Sequence, residues 1–193
     1  MMKRDQCLAA LARHVTDEIV VATYSSAVEW LELGERTLNY FSVGAMGLDS
    51  SHALGLALGL PKRRVICLQG DGSLLMNLGA LVTIAAAAPK NLVHLVVQNG
   101  TYEANGSHPI PNPELDFAAM ARAAGFAQVH DFSDLKNFEQ QVGHVIKQSG
   151  PVFVTLRVEP SKPLRYDYPK LYDPARRAAL KAALQQGEYV SIG

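Results

Sequence analysis

The sequence predicts an α/β fold: a single-domain, three-layer stack with a parallel sheet between helices on both of its faces. Two observations carry this reading. Ile19-Val20-Val21-Ala22, Val65-Ile66-Cys67-Leu68, the run 92–97 and Val152-Phe153-Val154-Thr155-Leu156 are apolar without polar alternation, as strands covered on both faces are. Between them lie segments with apolar or small residues at helical spacing, and that alternation of strand and helix is the pattern of a parallel sheet.

In chain order, Cys7, Leu8, Leu11, Ala12 and Val15 recur at helical spacing, so a helix precedes the first strand. Glu29, Glu32 and Glu35 lie along a further helix. A small-residue helix follows over about 48–59, ahead of the second strand. One helix over 74–88 then connects to the strand at 92–97. Helices over 115–124 and 135–148 come next, the latter opened by Ser133-Asp134 as a cap. After the strand at 152–156 the composition turns to Pro, Tyr and charge, with a final helix from Pro174 to about Gln186. The expected organisation is one domain over 1–160 and a C-terminal tail over 161–193 that packs on a neighbouring surface or forms an interface.

Composition limits the function. At 193 residues and 48% hydrophobic content, the chain can bury one sizeable core. Lys+Arg and Asp+Glu both number 18, so no basic surface is available for nucleic acid or an anionic membrane. Cys7 and Cys67 stand far apart with no metal-like spacing, which argues against a disulfide framework. The start lacks the apolar core of a signal peptide and no run reaches membrane-spanning length, so a cytoplasmic location is the expectation.

Two strand ends carry the chemistry. The strand at 65–68 runs into Gln69-Gly70-Asp71-Gly72-Ser73, a tight strand-to-helix turn whose backbone N–H groups favour a phosphate. Asp71 in that turn would repel an anion unless a divalent cation sits between them, and magnesium suits oxygen ligands shared with phosphates. The next strand ends in Gln98-Asn99-Gly100-Thr101-Tyr102, which puts an amide oxygen at the same sheet edge, where ligands of open α/β sheets bind. Asp71, Asn99 and a backbone carbonyl near Thr101 are therefore candidate metal ligands. The turn lacks both GxGxxG and the P-loop lysine, which disfavours an ordinary nucleotide-binding domain.

Gly-Asp-Gly-Ser, a helix and strand, then an Asn closing that strand resembles the signature of the thiamine-diphosphate-dependent enzymes, in their pyrophosphate-binding module. The resemblance implies that Asp71, Asn99 and Thr101 hold Mg2+, while Gly70, Gly72 and Ser73 contact the diphosphate. Gln98 stands where the family usually has a first Asn. Val43-Gly44-Ala45-Met46-Gly47 is similar to the segment that cups the aminopyrimidine, with Gly44, Ala45 and Met46 as contacts and Met46 as the wedge that bends the cofactor. Ser25 and Ser26 resemble the loop that reaches the diphosphate. Tyr102, like Tyr24, is placed to line the site.

The resemblance spans roughly 1–160 and leaves no room for the pyrimidine-binding module, whose glutamate activates the cofactor. That glutamate is expected from a separate pyrimidine-binding (alpha) subunit, within a hetero-oligomer that also has homodimer contacts. Lys3-Arg4-Asp5 and the stretch 70–79 look most like the beta subunit of sulfopyruvate decarboxylases and the matching part of phosphonopyruvate decarboxylases. The implied reaction is decarboxylation of a small 2-oxo acid, with the chain inactive alone. A carboligase subunit of the acetolactate-synthase kind and a non-catalytic cofactor sensor are the alternatives. His108 follows the metal loop and is a candidate for proton transfer or anion binding, though a solvated loop histidine is the commoner case. His14, His52, His94, His130 and His144 read as structural or solvated.

Overall fold

The computed structural model describes residues 1–42, 44, 46–162 and 164–185. Among them, six strands form one sheet: β1 (Ile19–Ala22), β2 (Asn39–Phe41), β3 (Val65–Gly70), β4 (Leu92–Gln98), β7 (Gln128–Phe132) and β8 (Val152–Arg157). Their order is β2-β1-β3-β4-β8-β7, and every neighbouring pair is parallel. Strands β1 and β4 are buried at every position, which is why they read as apolar runs without polar alternation, His94 and the terminal Gln98 of β4 apart.

Alternate residues of each strand serve two cores. Val20, Ala22, Ile66, Leu68, Val93, Leu95 and Val154 face one side. That side is covered by α1 (Arg4–Ala12), α2 (Tyr24–Glu32) and α7 (Leu135–Val145), through Leu8, Leu11, Trp30 and Phe138. Ile19, Val21, Val65, Cys67, Val96 and Phe153 face the other side. There α3 (Asp49–Gly59), α4 (Asp71–Met76), α5 (Ala80–Ala87), α6 (Phe117–Ala124) and α9 (Pro174–Gln185) pack, contributing Ala53, Leu74, Ile84, Phe117 and Leu180. At about 25 cal/mol per Å2 of apolar surface, this double burial is the main stabilising contribution.

Local signals set several boundaries. The Asp116 and Asp134 carboxylates each accept a backbone N–H three residues on, at 2.8 Å, capping α6 and α7. Gly125 ends α6 at φ +102°, a backbone conformation that strains any residue with a Cβ. The single helix expected over 74–88 is instead two. Asn77 leaves helical geometry at φ −146°, and its Nδ2 donates to the Gly47 carbonyl at 2.9 Å, a tertiary contact that propensity cannot anticipate.

After β8 the chain packs on its own fold. Val158 bridges to Met2, Glu159 N–H donates to the Met2 carbonyl, and Leu171, Leu180 and Leu184 are buried. A short helix α8 (Tyr168–Leu171) precedes α9. Among the described residues no helix is long and apolar enough to cross a membrane.

Candidate functional site

The chain runs from β1 to β2 on one side and then to β3 on the other, so the sheet's winding reverses between β1 and β3. Helices after these two strands leave on opposite faces and open a crevice at the strands' carboxyl ends, the usual ligand position in such sheets. A narrow cleft lies there. Thr23, Tyr24, Ser25 and Ser26 line it from β1. Gly70, Asp71, Gly72 and Ser73 line it from β3, and Val97, Asn99, Thr101 and Tyr102 from β4. Met46, Arg4, Glu103 and Ala104 complete the wall.

Asp71 and Asn99 meet across this crevice. Asp71 Oδ1 accepts the Gly72 N–H at 2.8 Å and Oδ2 accepts the Gly100 N–H at 2.7 Å, joining the β3 and β4 turns through one carboxylate. Asn99 Oδ1 accepts the Thr101 N–H at 2.9 Å, which holds the amide oxygen in place. Burial pushes the Asp71 carboxyl up to about 6, the backbone hydrogen bonds oppose that rise, and the charge of Glu103 adds to it. A buried carboxylate beside a second carboxylate is a site that a cation would relieve. Gly72 is required sterically: a Cβ there would lie 2.5 Å from the Tyr102 ring.

Ser73 is committed to the protein. Its hydroxyl accepts the Gly47 N–H at 2.9 Å and donates to Asp49 Oδ1 at 3.1 Å, tying Gly47, next to Met46, to the Gly70–Ser73 turn. Gln69 Nε2 donates to the same Asp49 oxygen, and Gln69 Oε1 meets His94 Nε2 at 2.7 Å. This polar chain runs from the cleft rim to the centre of β4. Burial pushes the Asp49 carboxyl up to about 7 and the His94 imidazole down to about 3, so both are held toward their neutral forms.

Ser25 and Ser26 are buried in the first turn of α2, and Ser25 Oγ lies 2.8 Å from the Tyr166 hydroxyl of the tail. Tyr24 opens α2 at φ +43°, a costly conformation for a non-glycine residue that fits a functional turn. Its phenol is raised by burial and by the neighbouring Tyr172 and Tyr168, against a lowering backbone hydrogen bond from Gly44. A Cβ at Gly44 would lie 2.9 Å from the Tyr172 hydroxyl, so the tail packs directly on the Gly44 turn. Met46 is half-buried in the cleft wall, and Ala45 lies outside the described residues.

Sequence reasoning passed over Arg4 and two acids. The Arg4 side chain, 3% exposed, forks onto Glu29 through Nε and Nη2 at 2.8 and 2.9 Å and reaches Glu103 through Nη1. Nη2 also donates to Ser161 Oγ, and Ser161 N–H donates to Glu103 Oε1, both at about 2.8–2.9 Å. Burial alone would lower the Arg4 pKa, but bonds to Glu29 and Glu103 outweigh it and leave it raised. Burial alone would raise Glu103, but Arg4 and Ser161 leave it lowered. The only sequence signal was Lys3-Arg4-Asp5 itself, since its partners lie 25 and 99 residues away.

His108 sits exposed on β6 (His108–Pro109), which pairs with β5 (Thr101–Tyr102), and it is not among the residues lining the cleft. Among the described residues, no group of three or more His, Cys, Asp or Glu side chains is arranged to hold a metal. A cation in the cleft would depend on the mixed set of carboxylate, amide and carbonyl oxygens.

Residues 21–156 match the family described as thiamine pyrophosphate enzyme, C-terminal TPP binding domain. Phosphonopyruvate decarboxylase of Streptomyces viridochromogenes is 36% identical over 156 residues, spanning 81% of this chain and 38% of that protein. Sulfopyruvate decarboxylase subunit beta of Methanothermobacter thermautotrophicus is 36% identical over 161 residues, spanning 83% of this chain and 84% of that subunit. The chain thus spans about two fifths of one relative and most of the other. The crystal structure of benzoylformate decarboxylase from Polynucleobacter necessarius superposes with a TM-score of 0.69 at 22% identity, over 84% of this chain and 34% of that one, a likeness of fold. By this match and by the identity to the beta subunit, the chain belongs to the thiamine pyrophosphate enzymes, as a C-terminal TPP-binding domain.

Proposed function

We propose that the chain is the cofactor-binding beta subunit of a thiamine-diphosphate-dependent decarboxylase acting on a small 2-oxo acid such as sulfopyruvate or phosphonopyruvate. The observation that carries the proposal is the Asp71–Gly100 link, which brings one carboxylate and the Asn99 amide together at the carboxyl ends of β3 and β4. Relatives named for these two decarboxylases, over most of this chain's length, support the substrate class.

The donor set fits magnesium and a diphosphate. Asp71 and Asn99 offer hard oxygen atoms: each Asp71 oxygen keeps a lone pair beyond its hydrogen bond, and Asn99 Oδ1 is released for a cation when the Thr101 hydroxyl, 3.3 Å away, turns aside. The buried carboxylate of Asp71, which only backbone N–H groups meet, gives the cleft a local need for a cation despite the neutral chain. When bound, thiamine diphosphate supplies the electron sink for decarboxylation.

The residues of this chain hold and orient. Asp71, Asn99 and Thr101 would keep the cation, and the Gly70–Ser73 turn would present backbone N–H groups to the diphosphate at the start of α4. Gly44 and Met46 would seat the aminopyrimidine, while Ser73 keeps their loop against that turn. Ser25 and Ser26, from the neighbouring strand end, would close the diphosphate side, and the Tyr102 ring over Gly72 would limit water. Among the described cleft residues the one glutamate, Glu103, is paired with Arg4, which fits an activating glutamate arriving from a pyrimidine-binding partner subunit. Homodimer contacts within that hetero-oligomer belong to the same proposal.

Mixing the chain with the pyrimidine-module subunit, magnesium and thiamine diphosphate tests this. Release of CO2 from sulfopyruvate or phosphonopyruvate, dependent on both chains, is the expected result. No release from either acid or from pyruvate contradicts it.

A further inference from the structure

Arg4 stands at the first turn of α1, outside the strand-end turns of β1, β3 and β4, yet it forms part of the cleft wall. It is the link between α1, Glu29 on α2, Glu103 just beyond the β4 turn and Ser161 at the start of the tail. Glu103 and Arg4 line the cleft, whereas Glu29 does not appear in its wall. Glu103 lies two residues beyond Thr101, and its side chain is only 7% exposed, so water screens its charge poorly.

A buried carboxylate at this place opposes an anionic ligand. An unpaired Glu103 would repel a diphosphate seated on the neighbouring Gly70–Ser73 turn, with only the Ser161 N–H left to hold it back from the cleft. The arginine's planar fork suits the task. It satisfies Glu29 with two parallel bonds and still reaches Glu103 with the other terminal nitrogen.

We propose that Arg4 is a positioning residue for cofactor binding, which neutralises Glu103 and holds it back beside Ser161 so that the Asn99–Thr101 turn can accept magnesium and the diphosphate. This rests on the reading of the cleft as the thiamine diphosphate site. Arg4 acts through Glu103 and does not itself carry out a chemical step. The role differs from that of Asp71: Asp71 attracts the cation, and Arg4 removes a charge that would repel the anion.

The test is calorimetric titration of magnesium and thiamine diphosphate into the full chain, with thermal melting of each variant measured without cofactor. Arg4→Met is expected to weaken binding by about tenfold or more, the size of one unscreened charge at close range. Arg4→Met with Glu103→Gln is expected to return to within about threefold of the parent, and Arg4→Lys, which keeps the charge, to stay within the same range. Glu29→Gln is expected to lower the melting temperature with affinity unchanged. Should Arg4→Met not fold, the same substitution in the Glu29→Gln background leaves only Glu103 unpaired and carries the comparison.

Unchanged affinity in Arg4→Met, or failure of Glu103→Gln to restore it, overturns the inference while leaving the cofactor site intact. Absence of binding by the parent chain and by its complex with the partner subunit overturns the reading of the cleft, and this inference with it.

Discussion

Asp71 Oδ2 accepts the Gly100 N–H at 2.7 Å, so a single carboxylate fastens the turn after β3 to the turn after β4. The same group accepts Gly72 N–H through its other oxygen, and both turns line one cleft. Asp71→Asn keeps the shape but offers one acceptor and one donor group to two facing N–H donors. It is expected to lose about 1–3 kcal/mol of stability in metal-free buffer at pH 8, read from the urea midpoint at unchanged slope. An unchanged midpoint would show that the two turns are held together by other contacts.

Ser73 joins the second pair of segments. Its hydroxyl bonds Gly47 N–H and Asp49 at once, so Ser73→Ala leaves a buried N–H and a buried carboxyl each one partner short. The expected cost is about 1–3 kcal/mol. Hydrogen exchange at the Gly47 amide should quicken more than exchange in β3. Equal protection at Gly47 in parent and variant would remove this link from the account.

Gly72 and Tyr102 are in steric competition. A methyl at position 72 would lie 2.5 Å from the ring, so Gly72→Ala must push Tyr102 aside. The expected cost is about 1–3 kcal/mol, as for overpacking elsewhere. In the Tyr102→Ala background Gly72→Ala should cost far less than in the parent, because the clash is then absent. A double-mutant cycle without coupling would contradict this contact.

The buried Asp49 makes a pH-dependent contribution with a definite sign. Its carboxyl is raised from 3.8 to about 7 by burial, so between these values the folded chain keeps a proton that the unfolded chain has released. Its contribution is full below about 3.8 and is lost as pH rises through about 7. His94 has the opposite sign: lowered from 6.5 to about 3, it contributes fully above 6.5, and that contribution is lost as pH falls through about 3. The two partly cancel, while metal-free Asp71, raised to about 6, adds to the contribution of Asp49. Comparing parent with Asp49→Asn isolates one group. The stability difference between them should shift against the parent by a few kcal/mol, to order of magnitude, from pH 4 to pH 8 in urea titrations. Parallel curves would contradict an uncharged Asp49.

Much of the fold was legible because the inner strands are covered on both faces. Ile19–Ala22 and Leu92–Gln98 carry apolar residues at nearly every position, a pattern that burial alone requires. The edge strands were not legible for the matching reason. Gln128–Phe132 keeps Gln128 and Asp131 exposed and includes His130, so it has neither a continuous apolar run nor clean alternation. Asn77, which splits the helix expected over 74–88, answers to Gly47 thirty residues earlier. At the site, the turns around Asp71 and Asn99 were visible because their chemistry is local. The Arg4 cluster was not, since its meaning lies in partners that only the folded chain brings near, and His108 stands exposed on a hairpin beside Tyr102 without lining the cleft itself.

The central claim is that the cleft at the ends of β1, β3 and β4 holds thiamine diphosphate through a divalent cation on Asp71 and Asn99. It is tested most directly by titrating thiamine diphosphate into the chain by calorimetry with magnesium, with a chelator in its place, and with Asp71→Ala in magnesium. Saturable binding in magnesium that vanishes with the chelator and with Asp71→Ala is the predicted result. Binding of equal strength in all three would contradict it.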